Sequence, residues 1–166
     1  MLPSLDVRFN NLIKAVEQVI GPVIPKEEKL AQEQVRLVVG HLTIMKEQWK
    51  DAVRFEAGSY RLMRGLAENL VPLVDDDQAS DLRAALSETQ ATPEDNIDRL
   101  NAAICTLGTS IDRVILGEDG RKPLSKEARL VLLDYGEASS LRDRVWFRGN
   151  GIDPDRESLP PLEDVI

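Results

Sequence analysis

Apolar residues recur at helical spacing in every long segment of this chain, and nowhere do they alternate convincingly with period two. Leu5, Phe9, Leu12, Ile13, Val16, Val19 and Ile20 predict a first helix ending near Val19, where Gly21-Pro22 and then Pro25 stop it, because proline lacks an amide donor and crowds the preceding turn. From Lys26 no proline occurs until Pro72. Over that stretch Leu30, Leu37, Val38, Leu42, Met45, Trp49, Ala52 and Val53 form a stripe wide enough to face a core. Running unbroken to Leu70, such a helix would measure about 65 Å, too long for a domain of this size, so a break is expected at Gly58-Ser59, with Tyr60 to Val71 folding back.

Asp75-Asp76-Asp77 supplies N-cap chemistry for a minor helix over Gln78 to Ser87 carrying Leu82, Ala85 and Leu86. Thr92-Pro93-Glu94-Asp95 reads as the start of the next helix. Its stripe is Ile97, Leu100, Ile104, Leu107, Ile111, Val114 and Ile115, and Gly117 is placed to end it. Gly117 to Lys122 reads as a turn. Ser125 can cap a last helix whose stripe is Ala128, Val131, Leu132, Tyr135, Ala138, Leu141 and Val145. The segment 149–166, with Gly149, Gly151, Pro154, Pro160 and Pro161, predicts an extended tail. The expected fold is therefore all-α: an antiparallel helical bundle of four main helices plus short ones over residues 1–148, followed by the tail at 149–166.

The chain has 166 residues, 42% hydrophobic and 30% charged, enough for one domain with a core built mainly from aliphatic side chains, since aromatics make up 4%. The 21 basic and 29 acidic residues give a net charge of −8, which argues against nucleic acid or an anionic membrane as partner. The excess is uneven. Residues 1–74 are near neutral, whereas 75–119 hold eleven acids and three arginines, a surface that could meet a basic protein. A single cysteine permits no intrachain disulfide, and neither a spanning helix nor an export signal is evident, so a cytoplasmic protein is expected.

Candidate chemistry is sparse. His41, the one histidine, lies beside Leu37, Val38 and Met45, where a partly buried imidazole could bind a ligand, act as a base or make one structural hydrogen bond in a core or interface. Val38 occupies the position three before it, so the Glu-x-x-His spacing of carboxylate-bridged metal pairs is missing, and neither a metal nor a cofactor is expected. Cys105, flanked by Ala103, Ile104 and Leu107, reads as a small buried hydrophobe rather than a nucleophile. No phosphate-cradling glycine loop and no nucleophile elbow occurs. No catalytic residue is assigned.

Two clusters remain. Around the expected break, Trp49 gathers with Phe55, Tyr60 and Met63. Core packing accounts for these, yet a cavity near His41, Trp49 and Tyr60 could hold a small ligand whose carboxylate or phosphate meets Arg54, Arg61 or Arg64. Arg142, Arg144, Trp146, Phe147 and Arg148 close the last helix. These residue types complement the helix dipole and are also those enriched at protein interfaces.

The layout Leu12-Ile13-Lys14-Ala15-Val16, Val23-Ile24-Pro25 and Lys29-Leu30-Ala31, opening a long helix, resembles a family of small all-helical bacterial proteins of unknown function over the first 45 residues or so. Members of that family are typically encoded near phosphotransferase-like proteins and acyl-CoA dehydrogenases, and the resemblance implies an accessory role. The resulting expectation is a non-enzymatic helical module acting by self-association, possible as a dimer, or as an accessory subunit of a protein partner. A small-ligand binder or enzyme with an interhelical cavity is the alternative.

Overall fold

Six α-helices carry the regular structure of the described residues, 3–117 and 123–166, in a computed structural model of the chain, and no strand occurs among them. The expectation of an all-helical protein is met. The helices are α1 (Leu5–Lys14), α2 (Lys29–Gln48), α3 (Ala52–Leu70), α4 (Asp76–Thr89), α5 (Ile97–Leu116) and α6 (Lys126–Trp146). Most of the expected turn between α5 and α6, residues 118–122, lies outside the described residues. The chain divides into two compact units. One comprises Met1–Lys50 with Trp146–Ser158, and the other Asp51–Val145 with Leu159–Ile166.

The second unit holds the core. Leu70, Leu82, Leu100 and Leu107 are its largest fully enclosed side chains, joined by Tyr60, Leu66, Ile111 and Val114 and by Ala128 of α6. Each such leucine stabilises the fold by roughly 1.5–3 kcal/mol through removal of its surface from water. Helices α3, α4 and α5 pack pairwise. Tyr60 Oη donates to the Thr89 carbonyl at 2.6 Å, tying α3 to the end of α4, and Arg113 pairs with Asp81 across α5 and α4. Val131, Leu132 and Tyr135 of α6 pack against the same core.

Local signals place several boundaries where the sequence predicts them. Asp75 Oδ1 accepts from the Gln78 amide at 3.0 Å, Ser125 Oγ accepts from the Ala128 amide, and Gly117 leaves α5 with φ 64°. Other expectations fail. The expected minor helix, α4, has 14 residues, and it buries Ala79, Leu82, Ala85 and Thr89. Helix α5 starts four residues beyond Thr92-Pro93, because Asn96 is the cap: its Oδ1 accepts from the Arg99 amide at 3.0 Å. The long helix breaks at Trp49–Asp51, not at Gly58-Ser59, with Asp51 at φ −104° and ψ 0°. Gly58 sits buried inside α3.

The last residues form single 3-10 turns at Arg148–Asn150, Arg156–Ser158 and Leu162–Asp164. Their first part, through Ser158, belongs to the first unit and the rest to the second.

Candidate functional site

The first unit is a helical hairpin. Ser4 caps α1 by accepting from the Val7 amide. Asp6, at the start of α1, receives Lys50 Nζ at 3.1 Å and Trp49 Nε1 at 3.3 Å from the end of α2, which fixes the two helices antiparallel. Those two hydrogen bonds, the lysine first, hold the Asp6 carboxyl below its ordinary range. At the other end a π turn (Ala15–Ile20) and a 3-10 turn (Gly21–Val23) reverse the chain, and Gln32 Nε2 locks the reversal by donating to the Ile24 carbonyl at 2.7 Å. A Cβ on Gly21 would stand 3.2 Å from Val35, so the glycine permits the close approach.

This hairpin buries little. Phe9 and Ile13 on α1, Val16 in the π turn, and Ala31, Val35, Val39 and Leu42 on α2 are half-buried, while α1 has no buried residue and α2 has Ile44. Ile44 owes its burial to the segment after α6. Gln48 Nε2 donates to the Trp146 carbonyl at 2.8 Å, and Gly149, lacking a side chain, lies against Ile44 and Glu47.

What remains is an apolar surface open to solvent. Leu5, Leu12 and Val19 are exposed at seven-residue spacing on α1 and the turn that extends it. On α2, Leu30 is 72% exposed, and Leu37, Val38 and Met45 about half. Val23 in the reversal is 77% exposed. The stripe on α2 expected to face a core is thus largely bare, because α2 carries apolar residues around most of its circumference and α1 covers one side of it. The readable signal was the breadth of the α2 stripe, more than one neighbouring helix can cover.

The expected partly buried setting of His41 is corrected: it is exposed, on the open side of α2 between Leu37 and Met45. Trp49 is exposed as well, with its indole held by Asp6. Both lie in the first unit, whereas Arg54, Tyr60, Arg61 and Arg64 belong to α3 in the second. There the arginines face carboxylates. Arg54 pairs with Asp51, Arg61 with Glu94 and Arg64 with Glu68, and Arg64 Nη1 also donates to the buried Tyr60 hydroxyl. Arg61 lines a cleft of about 270 Å³ with Asn69, Asp134 and Tyr135.

The cluster at the end of α6 is divided. Arg142 turns into the second unit, where Nη2 donates to the Phe55 carbonyl at 2.8 Å, Nη1 donates to the Val165 carbonyl, and the guanidinium stacks 4.8 Å from the Phe55 ring. Burial depresses its pKa. Arg144 is exposed at the end of the same unit, while Trp146, Phe147 and Arg148 belong to the first, with Phe147 exposed and the other two half-buried. Cys105, expected to be buried, is exposed: Ala103 and Leu107 turn inward and the residue between them turns out. Among the described residues no group of three or more His, Cys, Asp or Glu side chains could hold a metal ion, and no helix is long and apolar enough to cross a membrane. Comparison with protein-family models, curated proteins and solved structures finds no match.

Proposed function

We propose that this protein is a non-enzymatic helical module that works by protein–protein association, either with itself or as an accessory subunit. The α1–α2 hairpin is its docking element, and the helices from α3 onward form an antiparallel bundle scaffold that residues 159–166 of the C-terminal tail join. The observation that carries this reading is the bare apolar surface of the hairpin, Leu12, Val19, Leu30, Leu37 and Met45, in a chain whose second unit encloses its own leucines. A cytoplasmic setting accords with it, and nucleic acid does not, given the net charge of −8. The test compares the full chain with a Leu30→Gln/Leu37→Gln/Met45→Gln variant by sedimentation velocity and by capture of partners on immobilised protein. Association that is lost in the variant while its thermal transition is retained supports the reading. A monomer that captures nothing, or a variant that associates unchanged, overturns it.

The alternative is a small-ligand binder, and the second-unit cleft beside Arg61, Asn69 and Asp134 is the feature that favours it. It predicts that a small anion raises Tm in the wild type and not in Arg61→Ala, through preferential binding to the folded state.

A further inference from the structure

At about 100° per residue, Leu30, Gln34, Leu37, Val38, His41 and Met45 fall within one arc of α2, while Ala31, Val35, Val39 and Leu42 fall in the arc turned to α1. These six outer residues are all exposed and include no acid, lysine or arginine, whereas Gln48, on the azimuth of Leu30 at the end of the helix, is half-buried by its bond to the Trp146 carbonyl. The order of the six is also palindromic. Inverted about the point between Leu37 and Val38, Leu30 falls on Met45, Gln34 on His41 and Leu37 on Val38, so apolar residues meet apolar ones and a carboxamide meets an imidazole. An isologous contact asks for this relation, since residue i of one copy meets j of the other and j meets i.

We infer that the occupant of this face is a second copy of the chain, docked through antiparallel α2 helices about a twofold axis beside Leu37 and Val38. The inference rests on the association reading above and names its partner. A single hairpin cannot cover both sides of α2, whereas two hairpins stacked on this face supply four helices around one apolar seam. The Gln34 amide can donate to or accept from a neutral His41 ring, so the one polar pair in the seam can be satisfied. Charge permits the pairing. Residues 1–50 hold seven basic and six acidic side chains, whereas the remainder of the chain carries the acidic excess that makes the protein −8 overall. The inversion sets Lys29 level with Lys46 and Glu28 level with Glu47, but at 100° per residue all four fall well outside the outer arc, so no like charge enters the seam.

The experiment uses the purified full chain. Sedimentation equilibrium of the wild type is expected to give a monomer–dimer equilibrium that Leu37→Glu shifts to monomer, because two carboxylates then face each other at the axis. Register is read in a Cys105→Ser background from Gln34→Cys and His41→Cys chains under mild oxidation. In the inferred register an equal mixture of the two forms interchain disulfides, while each alone forms few, because like positions stand about 10 Å apart along the helices. Efficient crosslinking of each variant with itself means a parallel pairing and overturns the inference. A wild type that stays monomeric overturns it too, and if the glutamine triple variant still abolishes capture of another protein, the association reading survives without it. Failure of both sinks that reading as well.

Discussion

Arg142 fills the space that a side chain at Gly58 would need: its two terminal nitrogens lie 2.6 and 2.7 Å from where a Cβ on Gly58 would stand. The glycine is therefore no helix breaker. It lets a guanidinium from α6 reach the Phe55 carbonyl and the Ser59 hydroxyl inside α3 while also holding the Val165 carbonyl near the C-terminus. Gly58→Ala should lower stability by about 1–3 kcal/mol, by overpacking the site and forcing the part-buried Arg142 guanidinium off the Phe55 and Val165 carbonyls it donates to. Gly108 is the control, since nothing stands within 4 Å of a Cβ there; Gly108→Ala should raise stability by roughly 0.5–1 kcal/mol through helix propensity alone. Urea unfolding followed by circular dichroism checks both, and equal signs for the two would refute the role given to Arg142.

Helix starts give a second contrast. Asp75 and Asn96 each accept a first-turn amide, so Asp75→Ala and Asn96→Ala should each cost about 1 kcal/mol in the same urea measurement. Thr92 lies ahead of α5 in a turn where its own amide donates to the Thr89 carbonyl, and Thr92→Ala should change stability by less than about 0.5 kcal/mol.

Features fixed by a few neighbouring residues were legible in the sequence. The Asp75 and Ser125 caps, the Gly117 stop and the buried faces of α4 and α5 follow from side-chain hydrogen bonding and helical period. The break at Trp49–Asp51 was not, because no residue there forbids a helix and Trp49 and Lys50 are held instead by Asp6, more than forty positions away. Helical spacing places His41 beside Leu37 and Met45, yet whether that stripe meets a core depends on how many neighbours arrive, which local pattern does not encode. At Cys105 the apolar flanks mislead and phase decides: two positions from both Ala103 and Leu107 is the far side of the helix.

That exposure has a chemical consequence. Cys105 should react with a thiol-specific reagent in the native protein nearly as fast as in denaturant, where a buried thiol would be protected by the opening equilibrium of the fold. Stopped-flow or plate-reader titration with a chromogenic disulfide measures the ratio. Protection of a hundredfold or more in the native state would place the thiol inside.

Two carboxylates should shift stability with pH in opposite directions. Burial raises the pKa of Glu56, with the Arg142 charge working against it; a carboxyl that binds its proton more tightly when folded contributes stability below its unfolded pKa and loses it as pH rises through the folded one. Glu56→Gln should therefore be the more stable protein at neutral pH, by a few tenths of a kcal/mol given the group's partial exposure, with the advantage fading as pH falls through the ordinary glutamate range. Asp6 is the reverse case. Its pKa is lowered by hydrogen bonds from Lys50 and Trp49, so its contribution is present above the ordinary aspartate range and lost on acidification, and Asp6→Asn should loosen the hairpin at neutral pH but little at low pH. In a Trp146→Phe background the remaining indole, Trp49, reports the Asp6 contact directly. Its fluorescence should titrate below the range of a free aspartate in the parent and not at all in Asp6→Asn; a midpoint at or above that range would show that the contact does not hold the carboxylate.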